Sequence, residues 1–203
     1  MRPRSLAALL FLPLALALAL GAFPGCSQRS PAEATSCVCP GEAETVVDPA
    51  LLAFLSKARA AHHKADRAED DKQLDQAIGA LDALVKGPLP GGAALPPEAA
   101  EVLADTRARL ADLRSQLGEI EPALAEIDAG LALAPTPTHF RGHLFEVKGL
   151  ILERRMAKLK EKGDAAGAEQ AKGEAIKAYD EAIDIQNKVI ERALPDGGPA
   201  PKR

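Results

Sequence analysis

His139 and His143 stand four residues apart in HFRGH, and Glu146 follows three residues later. On a helix, positions three and four apart share a face. Two imidazoles and a carboxylate so arranged are a set that can hold a divalent metal. The glutamate that zinc peptidases carry beside the first histidine is missing, because Phe140 occupies that place. A metal-binding or enzymatic reading therefore rests on His139, His143 and Glu146 alone, and the plainer reading is one polar helix face. His62 and His63 point to different sides of their helix. The glycines spell no phosphate-cradling loop, and no Ser, His and Asp pattern marks a nucleophile. The sequence assigns no catalytic residue, no metal and no cofactor. Cys37 and Cys39 flank a single residue in SCVCPG. A disulfide across so short a loop is strained and easily reduced, so the pair reads as two thiols in a tether.

The remaining cysteine, Cys26, closes a different pattern. Arg2 and Arg4 precede a run of Leu and Ala from position 6 to 20, and GAFPGCSQ follows. A basic start, an apolar middle and small residues before a cut site form an export signal. The end of the run resembles the lipobox of bacterial lipoproteins: Phe23 supplies the large apolar residue, and Gly25 and Cys26 the final pair, while Pro24 departs from the usual small residue. The resemblance implies cleavage before Cys26 and lipid on that cysteine, with several acyl chains making release slow. Ser27, in place of an aspartate, implies the outer membrane by the family's sorting rule. The same run would also serve as an uncleaved anchor or as a plain export signal releasing a soluble product. Residues 1–25 are thus expected to be the signal, 26–47 a flexible tether rich in Ser, Pro, Ala and Gly, and 195–203 a frayed tail.

Past residue 25 the chain holds 23 Lys and Arg against 29 Asp and Glu. So acidic a surface gives no footprint for nucleic acid. Trp is absent, Tyr occurs once and Phe five times, while Ala and Leu dominate. That composition favours helices packed closely through small side chains, an all-α fold, over sheets.

Residues 48–194 read as six helices. Asp48-Pro49 supplies a capping carboxylate and a proline at the first helical position. Leu51, Leu55, Ala58, His62 and Ala65 then recur at helical spacing. The acidic cluster at 69–71 ends that helix. The next carries Leu74, Ala77, Ile78, Leu81, Leu84 and Val85. Residues 87–97, with their prolines and glycines, break the pattern. Helices follow over 98–117, with Val102, Leu103, Leu110 and Leu113 inward, and over 119–133. Two more span 139–162, with Phe140, Leu144, Val147, Ile151 and Leu159 inward, and 165–193. The last is expected to bury Ala171, Ala175, Ala178, Ala182, Ile183 and Ile190.

The six fall into three hairpins. GEIEPALAEIDAGLALAP places Gly118, Ala123, Gly130, Leu131 and Pro135 where the second half of a tetratricopeptide repeat (TPR) has Gly, Ala, Ala, Leu and Pro, with Ile120 and Ile127 for its aromatics. AIKAYDEAIDI places Ala175, Tyr179, Ala182 and Ile183 in the same way, and Gly149 falls on the small site of a first helix. The chain resembles that family over residues 49–194. Its spacing departs from the family's 34 residues: Ala77 to Ala123 is 46, and Ala123 to Ala175 is 52. A generic Ala-rich bundle or coiled-coil hairpin stays open as an alternative. The resemblance implies a short TPR-like solenoid whose first helices line a peptide groove. Its candidate residues are Arg59, His62 and Asp66; Asp105, Asp112 and Gln116; and His143, Glu146 and Glu153. A polar, mostly acidic lining suits a basic or mixed-charge peptide. The function expected is a non-catalytic scaffold or assembly factor for a protein partner at the envelope. A purely structural spacer is the rival.

Overall fold

Asp48 starts the first helix as expected: its Oδ1 accepts the Ala50 N–H at 2.8 Å. A computed structural model describes residues 48–91 and 94–194. Cys26, Cys37, Cys39, the 1–25 leader, the whole 26–47 tether and the 195–203 tail lie outside the described residues. Six helices follow in order: α1 (Pro49–Asp70), α2 (Leu74–Val85), α3 (Pro97–Gln116), α4 (Ile120–Leu133), α5 (His139–Glu161) and α6 (Ala165–Ala193). The described residues are helices and connectors with no strand, so the all-α expectation holds there. Among them, no helix is long and apolar enough to cross a membrane.

The three tight turns use one device. Lys72, Gly118 and Gly163 each have positive φ, at 59°, 82° and 78°. After each, the next residue's N–H reaches back five positions: Gln73 to the Ala68 carbonyl, Glu119 to Arg114 and Asp164 to Leu159. This left-handed cap satisfies the last carbonyls of a helix and reverses the chain. Counted between these residues, the hairpins recur at 46 and then 45 positions. That register places Ala77, Ala123 and Ala168 in equivalent sites, each five residues past its turn and each buried. The earlier alignment of Ala175 with Ala123 was therefore two helical turns too late.

Packing follows chain order. Each hairpin packs on itself (α1 on α2, α3 on α4, α5 on α6), and α3 and α5 also pack on the helices of the preceding hairpin. Helix α3 touches α1 and α2; α5 touches α3 and α4. The second helices α2, α4 and α6 do not touch one another. Ala65, Ala77, Ala99, Ala104, Ala108, Ala111 and Ala123 are fully buried, with Leu81, Leu110, Leu113, Ile127, Leu144 and Ile151 between them. Small residues let helix backbones approach and large ones fill the gaps. In α1, Phe54 is buried while Leu51 and Leu55 are only half-buried.

On α6 the four alanines expected inward, Ala171, Ala175, Ala178 and Ala182, are buried, but the two isoleucines expected with them are not. Ile183 and Ile190 are 58% and 55% exposed, and Ile185 is buried instead. Helix α6 turns its stripe of Ala168, Ala171, Ala175, Ala178 and Ala182 toward α5. There Gly142 and Gly149 make room for Gln186 and Tyr179. Close approach through small residues wins here over burying Ile183 and Ile190.

Candidate functional site

Because α3 lies beside both α1 and α5, polar residues on these helices meet across the seams. His62 on α1 and Thr106 on α3 are joined at 2.9 Å. The Thr106 hydroxyl donates to the Val102 carbonyl at 2.7 Å, so its oxygen accepts from His62 Nε2–H. That leaves His62 Nδ1 as an acceptor facing the Arg109 guanidinium at 3.4 Å. Burial holds His62 below its ordinary pKa of 6.5; Asp105 opposes this and Arg109 adds to it. Arg109 also reaches Asp66 at 2.6 Å and pairs with Glu69. Its hydrogen bond holds the Asp66 carboxyl below the usual carboxylate value.

The α3–α5 seam repeats the arrangement. Arg154 Nη1 donates to Asp112 at 2.7 Å and to the Ser115 hydroxyl at 2.5 Å, while Gln116 donates to Asp112 at 2.8 Å. On α5, His143 and Glu146 are 3.5 Å apart. Burial raises the phenol pKa of Tyr179 on α6, with the neighbouring carboxylates of Glu153 and then Glu146 adding to it.

Six of the nine residues singled out in the sequence (His62, Asp66, Asp112, Gln116, His143 and Glu146) are tied into hydrogen bonds or ion pairs along α1, α3 and α5, while Asp105 and Glu153 act through their charge on His62 and Tyr179. Arg59 stands exposed one turn before His62. Sequence reasoning missed the arginines that organise the surface. Arg109 and Arg154 pair with acids 43 and 42 residues away, a distance that local patterning does not register. The signal available was an arginine on a helix facing a neighbour that carries acids at matching depth. Arg114 does the same on another side of α3, pairing with Asp82 of α2 at 3.3 Å and Glu119 at 3.2 Å.

The metal reading gains no support from the geometry. The His139 and His143 rings are stacked with centroids 6.4 Å apart, and Gln186 lies 3.5 Å from His139 Nδ1. No group of three or more His, Cys, Asp or Glu that could hold a metal ion occurs among the described residues.

A cleft opens between α4 and α6 over α5. Its volume is about 450 Å³, with Leu124, Phe145, Leu152 and Ala178 as its apolar lining. Lys148, Arg155 and Lys177 border it alongside Glu174 and Glu181. The nearly balanced charges give it no clear sign preference.

The chain matches no protein-family model, no curated protein and no solved structure.

Proposed function

We propose that this chain is an envelope lipoprotein, tethered through Cys26, whose TPR-like hairpins hold a protein partner without catalysing a reaction. The observation that carries the reading is the side-by-side packing of α1, α3 and α5, bridged by Asp66–Arg109 and Asp112–Arg154. Hairpins that contact only their chain neighbours are the arrangement of helical repeat proteins, whose extended surfaces receive other chains. Among the candidate groove residues, taken together with Glu69, Arg109 and Arg154 that pair along the same seams, three arginines (Arg59, Arg109, Arg154) stand against six acids (Asp66, Glu69, Asp105, Asp112, Glu146, Glu153). The balance favours a basic or mixed-charge segment. The period of 46 and 45 residues is longer than a standard TPR, so the likeness is to the stacking principle and the local Ala and Gly spelling.

Membrane tethering rests on the lipobox resemblance alone, and the outer membrane is the location that resemblance implies. For the partner, a photo-crosslinking residue placed at Asp105 in living cells should capture one protein specifically. Glu146→Lys should reduce that adduct. Asp105 and Glu146 suit the test better than Asp112, whose reversal would also break the pair with Arg154. Capture from Asp105 no stronger than from the exposed Asp128 on α4 would favour the structural-spacer reading.

A further inference from the structure

The residue thirteen positions past each hairpin turn is a large aliphatic: Val85 on α2, Leu131 on α4 and Ile176 on α6. Val85 is half-buried against the clusters containing Ala99, Leu103 and Leu110 of α3. Leu131 is half-buried against the cluster containing Leu144 and Val147 of α5. In both hairpins the following first helix covers this site. Nothing in the described residues follows α6, and Ile176 is 51% exposed. The stripe continues at seven-residue steps through Ile183 and Ile190, and Leu194 adds to it at 61% exposure. Three isoleucines at heptad spacing on an exposed helix face form the seam used to pair with another helix.

We propose that this seam docks an amphipathic α-helix with basic flanks from a protein partner, seated on α6 where a seventh helix would continue the stack. The charges beside the seam select that occupant. Asp180, Asp184 and Glu191 border it on α6, and Glu146 and Glu153 border it across Tyr179 on α5. Lys177 and Lys188 are the cations on the same flank of α6, and Lys172 is drawn to Glu169 at 3.0 Å. Leu150 of α5, 36% exposed between the two glutamates, extends the apolar strip. An antiparallel second copy of α6 fits poorly, because it would set the flank carrying Asp180 and Asp184 against itself. Residues 195–203 hold three prolines and no Val, Ile, Leu, Met or Phe, so their sequence carries no apolar stripe. The docking surface is centred on α6 and meets the α1–α3–α5 face only at its edge, where Glu146 and Glu153 stand on α5.

The test uses the full chain in zwitterionic nanodiscs, with empty nanodiscs as the blank. The probe is a fluorescent amphipathic peptide of about 18 residues, about 27 Å as a helix, with a leucine stripe flanked by lysines. Its twin carries glutamates instead. The lysine peptide should bind, and Ile183→Asp should weaken it about tenfold or more, as expected for losing a buried aliphatic anchor. The sign is diagnostic: the substitution adds negative charge, so simple attraction of a basic peptide to an acidic protein would strengthen binding. Asp180→Lys should also weaken it, the glutamate peptide should bind about tenfold less well, and Asp105→Lys on the other face should change little. Circular dichroism should show Ile183→Asp fully helical, since the side chain is exposed. Binding that survives Ile183→Asp, or equal binding of both peptides, overturns the proposal. So does a dimer, seen by light scattering, that Ile183→Asp dissociates, because the seam would then belong to a second copy. Loss of the seam interaction with Asp105 crosslinking intact would leave the partner-holding reading standing.

Discussion

The Tyr179 ring fills the space that a side chain at Gly149 would need, so a Cβ there would collide with three ring carbons. Helices α5 and α6 owe their close approach to this pair. Gly149→Ala should therefore lower stability by about 1–3 kcal/mol, the usual cost of overpacking. Gly79→Ala on α2, where nothing lies within 4 Å of the added carbon, should instead raise it by about 0.5–1 kcal/mol through helix propensity. Thermal unfolding of the two variants, with opposite shifts expected, checks both.

The shared turn makes a paired prediction. A left-handed residue with a side chain costs about 1–2 kcal/mol relative to its relaxed conformation, and glycine escapes that cost. Lys72→Gly should stabilise the first hairpin by up to about 1 kcal/mol. Gly118→Ala should destabilise the second by a similar amount. Urea midpoints that move the same way in both variants would show that the three turns are not equivalent.

Acid should loosen the α1–α3 seam. His62 has a folded pKa below 6.5, so the unfolded chain binds its proton first. The stabilisation is whole above pH 6.5 and is lost as pH falls through the lowered folded value. Asp66 acts in the same direction at lower pH, because its carboxyl is also depressed when folded. Stability measured from pH 7.5 down to 5.5 should fall, and His62→Gln, which can still donate to Thr106, should flatten that slope.

Cys26→Ala should move the protein from the membrane to the soluble fraction of the envelope, with loss of radiolabelled palmitate. Membrane retention without label would point to an uncleaved anchor.

Helix positions were legible because their ends are spelled by residues of strong local preference. Asp48-Pro49, Gly118, Pro135 and Gly163 mark boundaries, and each observed helix lies within about two residues of its expected span. The alanine-lined core was legible for the same reason. The turn at Lys72 was not, because a lysine with positive φ leaves no glycine to signal it. The outward direction of Ile183 was missed as well. Burial favoured the large side chain, but the α5–α6 contact is lined by the alanines of α6, with Tyr179 and Gln186 entering at Gly149 and Gly142. Most candidate surface residues do come together in contacts. The spelling did not show that Asp66 and Asp112 are engaged by arginines from neighbouring helices. Pairs more than forty residues apart depend on how hairpins stack, which no local period encodes.

The central claim is that α1, α3 and α5 lie side by side as one surface. It is tested by cysteine pairs introduced at Asp66 with Arg109 and at Asp112 with Arg154, after Cys26, Cys37 and Cys39 are replaced, using a short bis-maleimide. The account predicts rapid intramolecular crosslinking of both pairs in the folded protein and none between Asp75 on α2 and Asp128 on α4. Failure of the 66/109 and 112/154 pairs to crosslink while the protein remains helical would contradict it.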